Sequence, residues 1–129
     1  MSDKFTVDII TPEKTILKSE ASEVIIPSYE GQMGILKDHI ALITFLRPGI
    51  IFIHGKDKKK YYVEEGTVEF LDNNLLILTS TAKDLIDFNQ SSIEELLNLA
   101  ENEINDDNSS DKEKYLSSYK ISTLKEINQ

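Results

Sequence analysis

The sequence lacks cysteine and tryptophan, and its 129 residues include only two histidines and three prolines. Without cysteine there can be no disulfide, no thiolate metal ligand and no cysteine nucleophile. A zinc site needs three or four converging ligands, whereas His39 and His54 have no carboxylate at helical ligand spacing. The sequence therefore predicts no metal site and no bound cofactor.

Long hydrophobic runs are also missing. The longest, near Ile40–Leu46 and Leu75–Leu78, are far shorter than the ~20 apolar residues that a membrane-spanning helix needs. Met1 is followed by Ser-Asp-Lys rather than by an apolar segment, so no secretory signal is expected. We expect the chain to reach a membrane only through partners, without inserting into it.

Positive charge is scarce, and it is scarcest toward the C-terminus. The net charge is −9; residues 1–83 carry 12 acidic and 10 basic side chains, whereas residues 84–129 carry 11 acidic and four basic ones. An acidic region of this kind is repelled by phosphate backbones. The charge distribution therefore argues against a nucleic-acid partner.

Catalytic constellations are absent as well. Glu64 and Glu65 are adjacent, so on a strand they point to opposite faces and cannot act on one substrate atom. Asp106 and Asp107 lie in a stretch of loop-forming residues. No glycine pattern of a phosphate-binding or dinucleotide-binding loop is present. A small hydrolase is therefore disfavoured, and the sequence predicts a protein without catalytic activity of its own.

Short strands dominate the first part of the chain. Turn residues recur there every 8–12 positions, a spacing typical of sandwiches and barrels. The expected strands include Phe5–Ile9, Thr15–Leu17, Glu23–Ile26, Ile40–Phe45, Ile50–Ile53, Tyr61–Val63, Val68–Phe70 and Leu75–Leu78. Burying their apolar faces requires two layers. We predict an all-β N-terminal sandwich of about ten short strands in two sheets, over residues 1–84.

The pattern becomes helical in residues 85–129 and predicts a C-terminal antiparallel α-helical hairpin. Two sequences of capping-box type, Ser92-x-x-Glu95 and Ser110-x-x-Glu113, mark helix starts. The first helix has a narrow apolar stripe, composed of Ile93, Leu96, Leu97, Ala100 and Ile104; the second has a weaker face, composed of Leu116, Tyr119, Leu124 and Ile127. Burying the first stripe would only about offset the entropy of ordering that helix. We therefore expect shallow docking and a mobile hairpin.

One stretch, residues 27–49, combines turn residues, a histidine and an apolar run. Within it, the residues Glu30, Gly31, Gly34, Ile35, His39, Leu42, Ile43, Thr44, Leu46, Pro48 and Gly49 match the pattern E-G-x-x-G-[IV]-x-x-x-H-x-x-[LI]-[LI]-T-x-[LI]-x-P-G. Gly34 suggests a special backbone position inside a strand. The stretch resembles the signature of the epsilon subunit of F-type ATP synthases, and the order of sandwich and hairpin resembles that family's architecture.

The resemblance implies a rotor-stalk subunit that couples proton-driven rotation of the membrane c-ring to ATP synthesis. It implies a position at the cytoplasmic face of the bacterial inner membrane, peripheral and held by the complex. Contacts with the ring would come from Glu30, Gly31, Gln32 and Met33, and contacts with the gamma subunit from Thr11, His39, Leu42 and Thr44. Gln32 stands where many relatives have an acid. A histidine satisfied by nearby backbone is the alternative for His39.

The resemblance also implies that the hairpin is a regulatory domain that can reach the alpha/beta catalytic head. Residues 110–129 carry four lysines against three acids, which predicts weak attraction to an acidic head and at most weak inhibition of ATP hydrolysis. Some relatives bind ATP through I-D-x-x-R-A, but the aligned residues here are Ile86, Asp87, Phe88, Asn89, Gln90 and Ser91. A glutamine cannot supply the arginine's charge, so ATP binding is not expected. The alternative function is a free-standing β-sandwich protein-binding module with an acidic hairpin.

Overall fold

The computed structural model describes residues 3–127 and contains ten β-strands followed by helices. The strands are β1 (Phe5–Ile10), β2 (Thr15–Ala21), β3 (Glu23–Ser28), β4 (Gly31–Leu36), β5 (Leu42–Leu46), β6 (Gly49–His54), β7 (Lys58–Val63), β8 (Gly66–Leu71), β9 (Asn74–Thr79) and β10 (Ala82–Asp84). A short 3₁₀ turn, Leu85–Asp87, leads into α1 (Gln90–Asn105) and α2 (Asp111–Ile127). The predicted sandwich and helical hairpin are confirmed.

The strands form two layers that are hydrogen-bonded into one continuous sheet. One layer has the order β10–β7–β6–β3, with β4 on β3, and the other has the order β5–β8–β9–β1–β2. A single antiparallel pair, Ser28 with Leu46, joins β3 to β5 and so connects the layers. Neighbouring strands run antiparallel except β1 and β9, which are parallel.

The core lies between the layers because apolar residues alternate along most strands. In β1, for example, Phe5, Val7 and Ile9 are buried, whereas Thr6 is exposed. The buried cluster draws residues from β1 to β9, among them Ala21, Val24, Ile26, Ile35, Leu46, Ile51, Ile53, Tyr61, Val63, Val68, Phe70, Leu75 and Ile77. Both layers thus contribute to one core, as a sandwich requires.

Three local expectations were wrong. Strand β5 begins at Leu42 rather than at Ile40, because residues 37–41 form a turn in which Asp38 has a left-handed φ of 66°. Gly34 does not have a left-handed φ angle. Among the described residues, the glycine that does is Gly31, with a φ of 117°. Helix α1 starts before Ser92, since Asn89 is its N-cap and Ser92 completes that capping box from the third helical position. The predicted start of the second helix is confirmed, because the Glu113 amide donates to Ser110 Oγ at 3.0 Å.

The hairpin packs on the outer face of the β6–β7 layer. Tyr61 and Val63 of β7 point into the sandwich core, so Tyr62 between them points outward. Tyr62 is fully covered by Ile93 of α1 and Leu124 of α2, together with Phe88 and Leu85 at the entry to α1. Strand alternation therefore supplies the aromatic side chain around which the hairpin packs.

Polar and aromatic contacts add to this apolar cluster. The Arg47 guanidinium lies over the Tyr119 ring, and Tyr29 stacks against Tyr115 with the ring planes 8° apart. The expectation of shallow docking counted mainly the α1 stripe. Helix α2 has buried residues of its own, Leu116, Ser117, Thr123 and Leu124, and of these Leu124 belongs to the cluster around Tyr62. Both helices therefore contribute to the contact with the sandwich.

Candidate protein-docking site

The predicted ring-contact residues lie at the β3–β4 turn. Tyr29 and Glu30 form the turn and are exposed. Ser28 Oγ closes it by donating to the Gly31 carbonyl at 2.7 Å and accepting from the Glu30 amide at 3.3 Å. Gly31 follows with a φ of 117°, a conformation that residues with a Cβ rarely adopt. The local geometry thus presents the Glu30 carboxylate to solvent at one end of the sandwich.

The other two predicted ring-contact residues point in different directions. Met33 is half-buried and packs against the sandwich core. Gln32 is exposed and points to the hairpin side, where it lines a cleft of about 230 Å³ together with Arg47 and Tyr119. The structure therefore brings Glu30 and Gly31 together at the turn, whereas Gln32 and Met33 point to opposite faces of β4.

The predicted gamma-contact residue His39 lies in the β4–β5 loop and is half-buried. Its Nδ1 is 2.7 Å from the Ile40 carbonyl oxygen, and its ring meets Phe70 edge to face at 6.0 Å between centroids. A carbonyl oxygen only accepts, so this bond places the proton on Nδ1. The histidine is thus satisfied by nearby backbone, and Ile40 beside it is 79% exposed.

Strand β5 places Leu42 and Thr44 differently from Ile43 and Phe45. Leu42 and Thr44 pair with the buried residues Phe70 and Val68 and face the core side, half-buried. Ile43 and Phe45 point outward and are 75% and 58% exposed. The sequence did not single out Ile43 and Phe45, because β5 is apolar on both faces. Only the burial of Leu46, combined with the alternation of side chains along a strand, shows that these two residues point outward.

Ile43 and Phe45 belong to the outward face of the β5–β8–β9–β1 layer, where apolar residues lie beside the exposed Glu69, the cross-strand partner of Ile43. The register aligns Phe45 with Thr67, Thr67 with Leu78, and Leu78 with Ile10. Leu78 is 44% exposed, although it lies in the middle of the layer. We call Ile43, Phe45, Leu78 and Ile10 the apolar face. Exposed patches of this kind commonly mark protein contacts.

The predicted gamma-contact residue Thr11 borders this face. Its side chain is buried, and its Oγ1 bonds within the β1–β2 turn by donating to the Lys14 carbonyl at 3.1 Å. The residue lines a cleft of about 540 Å³ with Ile10, Pro12, Gly66, Thr67 and Leu78. Thr11 therefore shapes a concavity at the margin of the apolar face.

Four of the six residues aligned with the nucleotide motif, Ile86, Phe88, Asn89 and Gln90, make structural contacts. Asp84 Oδ1 accepts from the Ile86 amide, Phe88 packs edge to face on Tyr62, and Asn89 caps α1. The Gln90 side-chain amide donates to Glu94 at 3.0 Å. These residues form the connection between sandwich and hairpin, and the amide at the arginine position is already bonded within its helix.

Residues 3–127 contain neither a candidate metal site nor a candidate membrane-spanning helix. No group of three or more His, Asp or Glu side chains in this range is placed to hold a metal ion. None of the helices described is long and apolar enough to cross a membrane.

Comparisons with known proteins agree with this architecture. Residues 4–84 match the family model described as ATP synthase, Delta/Epsilon chain, beta-sandwich domain. The chain is 47% identical over 130 residues to the ATP synthase epsilon chain of Pelagibacter ubique, across 99% of this chain and 100% of that one. It is 30% identical over 108 residues to that of Rhizobium rhizogenes, across 82% of this chain and 80% of the relative.

Solved structures show the same fold. A chain of Euglena gracilis mitochondrial ATP synthase superposes with a TM-score of 0.76 at 18% identity, across 99% of this chain and 81% of that chain. A chain from the central stalk and c-ring of Tetrahymena thermophila mitochondrial ATP synthase gives 0.63 at 18% identity, across 95% and 92%. The chain belongs to the ATP synthase delta/epsilon chain family. It is a non-catalytic subunit, and its family membership disfavours a free-standing binding module.

Proposed function

We propose that the chain is a rotor subunit of the central stalk, which couples proton-driven rotation of the c-ring to ATP synthesis. Its sandwich packs against the gamma subunit and the ring, at the cytoplasmic face of a bacterial inner membrane. Support comes from its full-length similarity to bacterial epsilon chains and from a structural neighbour whose title names a central stalk and c-ring. The complex, rather than any segment of this chain, provides the membrane attachment.

The apolar face is the single observation that carries this proposal. Ile43 and Phe45 project from the outer side of β5, although the residues on either side of them face the core. Leaving such side chains in water is costly, because burying one gains about 1.5–3 kcal/mol. The hairpin covers Tyr62 on the outer face of the other layer, whereas Ile43 and Phe45 have no such cover among the described residues.

The geometry also refines which residues contact gamma. Ile43 and Phe45, being exposed, make direct contacts, whereas Leu42 and Thr44 support the strand from its inner side. His39 contributes through the loop that exposes Ile40, and Thr11 shapes the cleft beside Ile10. The partner surface should accordingly be apolar where it meets β5, with at least one side chain that enters this cleft.

For the ring contact, we propose the exposed β3–β4 turn. Glu30 offers a carboxylate, and Gly31 allows close approach of another backbone because no atom lies within 4 Å of a Cβ built at this position. Gln32 and Met33 extend from the same turn to the two faces of β4. Residues 85–129 form the regulatory domain, able to reach the catalytic head, and residues 1–84 form the docking domain.

Single-cysteine crosslinking tests the docking surfaces directly, because the natural chain contains no cysteine. Ile43→Cys and Glu30→Cys, each with a short photoactivatable crosslinker, are assembled with the gamma subunit and c-ring of the same organism. We expect Ile43→Cys to link to gamma and Glu30→Cys to link to a ring subunit.

The matched control is Leu99→Cys, an exposed apolar position on α1 outside the apolar face. It should give neither product. If Ile43→Cys fails to reach gamma while the assembled complex contains the chain, the assignment of the apolar face is wrong. If the wild-type chain does not associate with gamma and the ring at all, the proposed function itself is wrong.

A further inference from the structure

The β4–β5 loop is fastened to the β8–β9 turn by two residues that are 35 positions apart in sequence. The Asp38 amide donates to Asn73 Oδ1 at 2.7 Å, and Asn73 Nδ2 donates back to Asp38 Oδ1 at 3.0 Å. The two bonds form a reciprocal pair between a backbone group and side chains. We call this pair of residues the clasp.

Both residues of the clasp have left-handed backbone conformations. The φ angles are 66° at Asp38 and 62° at Asn73. Residues with a Cβ disfavour this region by roughly 1–2 kcal/mol, and Asp and Asn tolerate it best because their short side chains bond locally. Here the side chains bond across to each other instead of to their own turns. The clasp thus offsets the cost of the backbone conformation that it holds.

The clasp determines where the loop points. His39 follows Asp38, rests against Phe70 of β8, and bonds to the Ile40 carbonyl. Ile40 is consequently left as one of the most exposed apolar side chains of the described residues, and β5 with its outward Ile43 begins two residues later. The loop therefore extends the apolar face beyond the end of the strand.

We propose that Asp38 and Asn73 are positioning residues that hold the His39–Ile40 loop in the conformation that binds the partner. Neither needs to touch the partner itself. The inference rests on the proposed function, since it concerns the surface assigned to gamma. If only a fraction of loops has the binding conformation, the apparent affinity falls by that fraction.

The test uses full-length chains and two readouts. Asn73→Gly removes the clasping amide but suits the left-handed position, so the β8–β9 turn is preserved. In the isolated chain, we expect hydrogen exchange of the Asp38 amide to accelerate about tenfold, the factor for loss of a typical hydrogen bond. Affinity for the gamma and c-ring assembly should fall roughly five- to tenfold, chiefly through faster dissociation.

Further variants separate positioning from a general structural effect. Asn73→Gly breaks both bonds of the clasp and Asp38→Gly breaks one of them, so the double variant Asp38→Gly/Asn73→Gly should lose about as much affinity as Asn73→Gly alone, a non-additive result. Asp38→Asn retains the accepting oxygen and should bind as wild type does. Asn74→Ala, the control, removes a neighbouring amide that bonds to Thr6 and Asp72 instead of to the loop, and should leave both readouts unchanged.

Other outcomes would overturn the proposal. Unchanged Asp38 exchange in Asn73→Gly would show that no clasp forms in solution. Accelerated exchange with unchanged affinity would show that the clasp does not position the binding loop, and so would an equal loss of affinity in Asn74→Ala or additive losses in the double variant. A wild-type chain that shows protected Asp38 exchange but no binding would overturn the proposed function and this role together.

Discussion

The guanidinium carbon of Arg47 lies 4.2 Å from the centroid of the Tyr119 ring. Arg47 belongs to the turn between β5 and β6, and Tyr119 to α2, so the contact joins the sandwich to the hairpin. Tyr119 in turn meets Tyr115 edge to face at 5.0 Å, and Tyr115 stacks on Tyr29 of the β3–β4 turn. One turn of α2 is therefore joined to two turns of the sandwich by this row of contacts.

Replacing Arg47 should loosen this junction. We expect Arg47→Ala to lower the free energy of unfolding by about 1 kcal/mol, the value of a partly desolvated cation–π contact. A double-mutant cycle with Tyr119→Leu in urea denaturation should give a coupling energy of about 0.5–2 kcal/mol. Lys125→Ala, an exposed position on the same helix, is the control. Strictly additive losses would show that the two side chains do not interact in solution.

Tyr62 should make stability fall in alkaline solution. Burial raises the pKa of its hydroxyl above the ordinary value, and the Glu64 carboxylate, which accepts its hydrogen bond at 3.0 Å, raises that pKa further. Below about pH 10 the tyrosine is neutral in both folded and unfolded chains. Above that pH the unfolded chain ionises first, so the free energy of unfolding falls as pH rises, by up to about 1.4 kcal/mol per pH unit for this group.

The phenylalanine variant tests this assignment. Tyr62→Phe keeps the packing against Ile93 and Leu124 but cannot ionise. We expect its denaturation midpoints, measured from about pH 7 to about pH 11, to fall less steeply with pH than those of the wild type. Burial also raises the pKa of Tyr61, so part of the slope should remain. Identical slopes in the two proteins would contradict the assignment to Tyr62.

Replacing Ser117 should increase the stability of the protein. It lies on the buried side of α2, and its Oγ has no hydrogen-bond partner among the described residues. An unsatisfied buried hydroxyl costs about 1–3 kcal/mol, and alanine is the better helix former. Ser117→Ala should therefore raise the free energy of unfolding by about 1 kcal/mol in urea denaturation. Ser118→Ala, at the exposed neighbouring position, should have a smaller effect; a destabilised Ser117→Ala would imply that the hydroxyl is bonded in solution.

The hairpin should inhibit ATP hydrolysis weakly or not at all. Within the proposed function, deletion of residues 105–129 should leave ATP synthesis intact and change hydrolysis by less than a few-fold, because the deleted helix offers little net positive charge to an acidic head. The deletion uncovers Tyr62 and Ile93, so assembly of the truncated chain is verified first. Lys112→Glu/Lys125→Glu, which keeps the helix and changes two exposed positions, should behave likewise. A large rise in hydrolysis in either variant would contradict the prediction.

The extent to which sequence predicted structure differs between elements. Strands β1 and β8 alternate apolar and polar residues, so their buried faces could be assigned from sequence. Strand β5 is apolar on both faces, and its outward residues Ile43 and Phe45 were assigned only by its pairing with β8. The sequence-based prediction therefore named Leu42 and Thr44, whereas the residues of β5 that the structure exposes are Ile43 and Phe45.

Residues 27–49, the stretch that matches the family pattern, also combine features that the sequence predicted with features that only the structure explains. Its spacing was enough to indicate the family, and some of its residues are explained by packing rather than by docking. Gly49 is an example, because a Cβ there would lie 2.5 Å from Pro27 Cβ in the neighbouring strand. Ile35 is likewise fully buried. A sequence pattern records both kinds of constraint, and the structure separates them.

The sequence by itself determined the periodicity of the strands, the turns, the start of α2 directly after Ser110 and the family. These depend on backbone preferences and side chains within a few residues of each other. Only the tertiary structure decided that Asp38 bonds Asn73, that Arg47 covers Tyr119, and that Tyr62 serves the hairpin rather than the core. Such contacts join distant segments, and their partners are selected by how the two layers and the hairpin pack together, which no local pattern encodes.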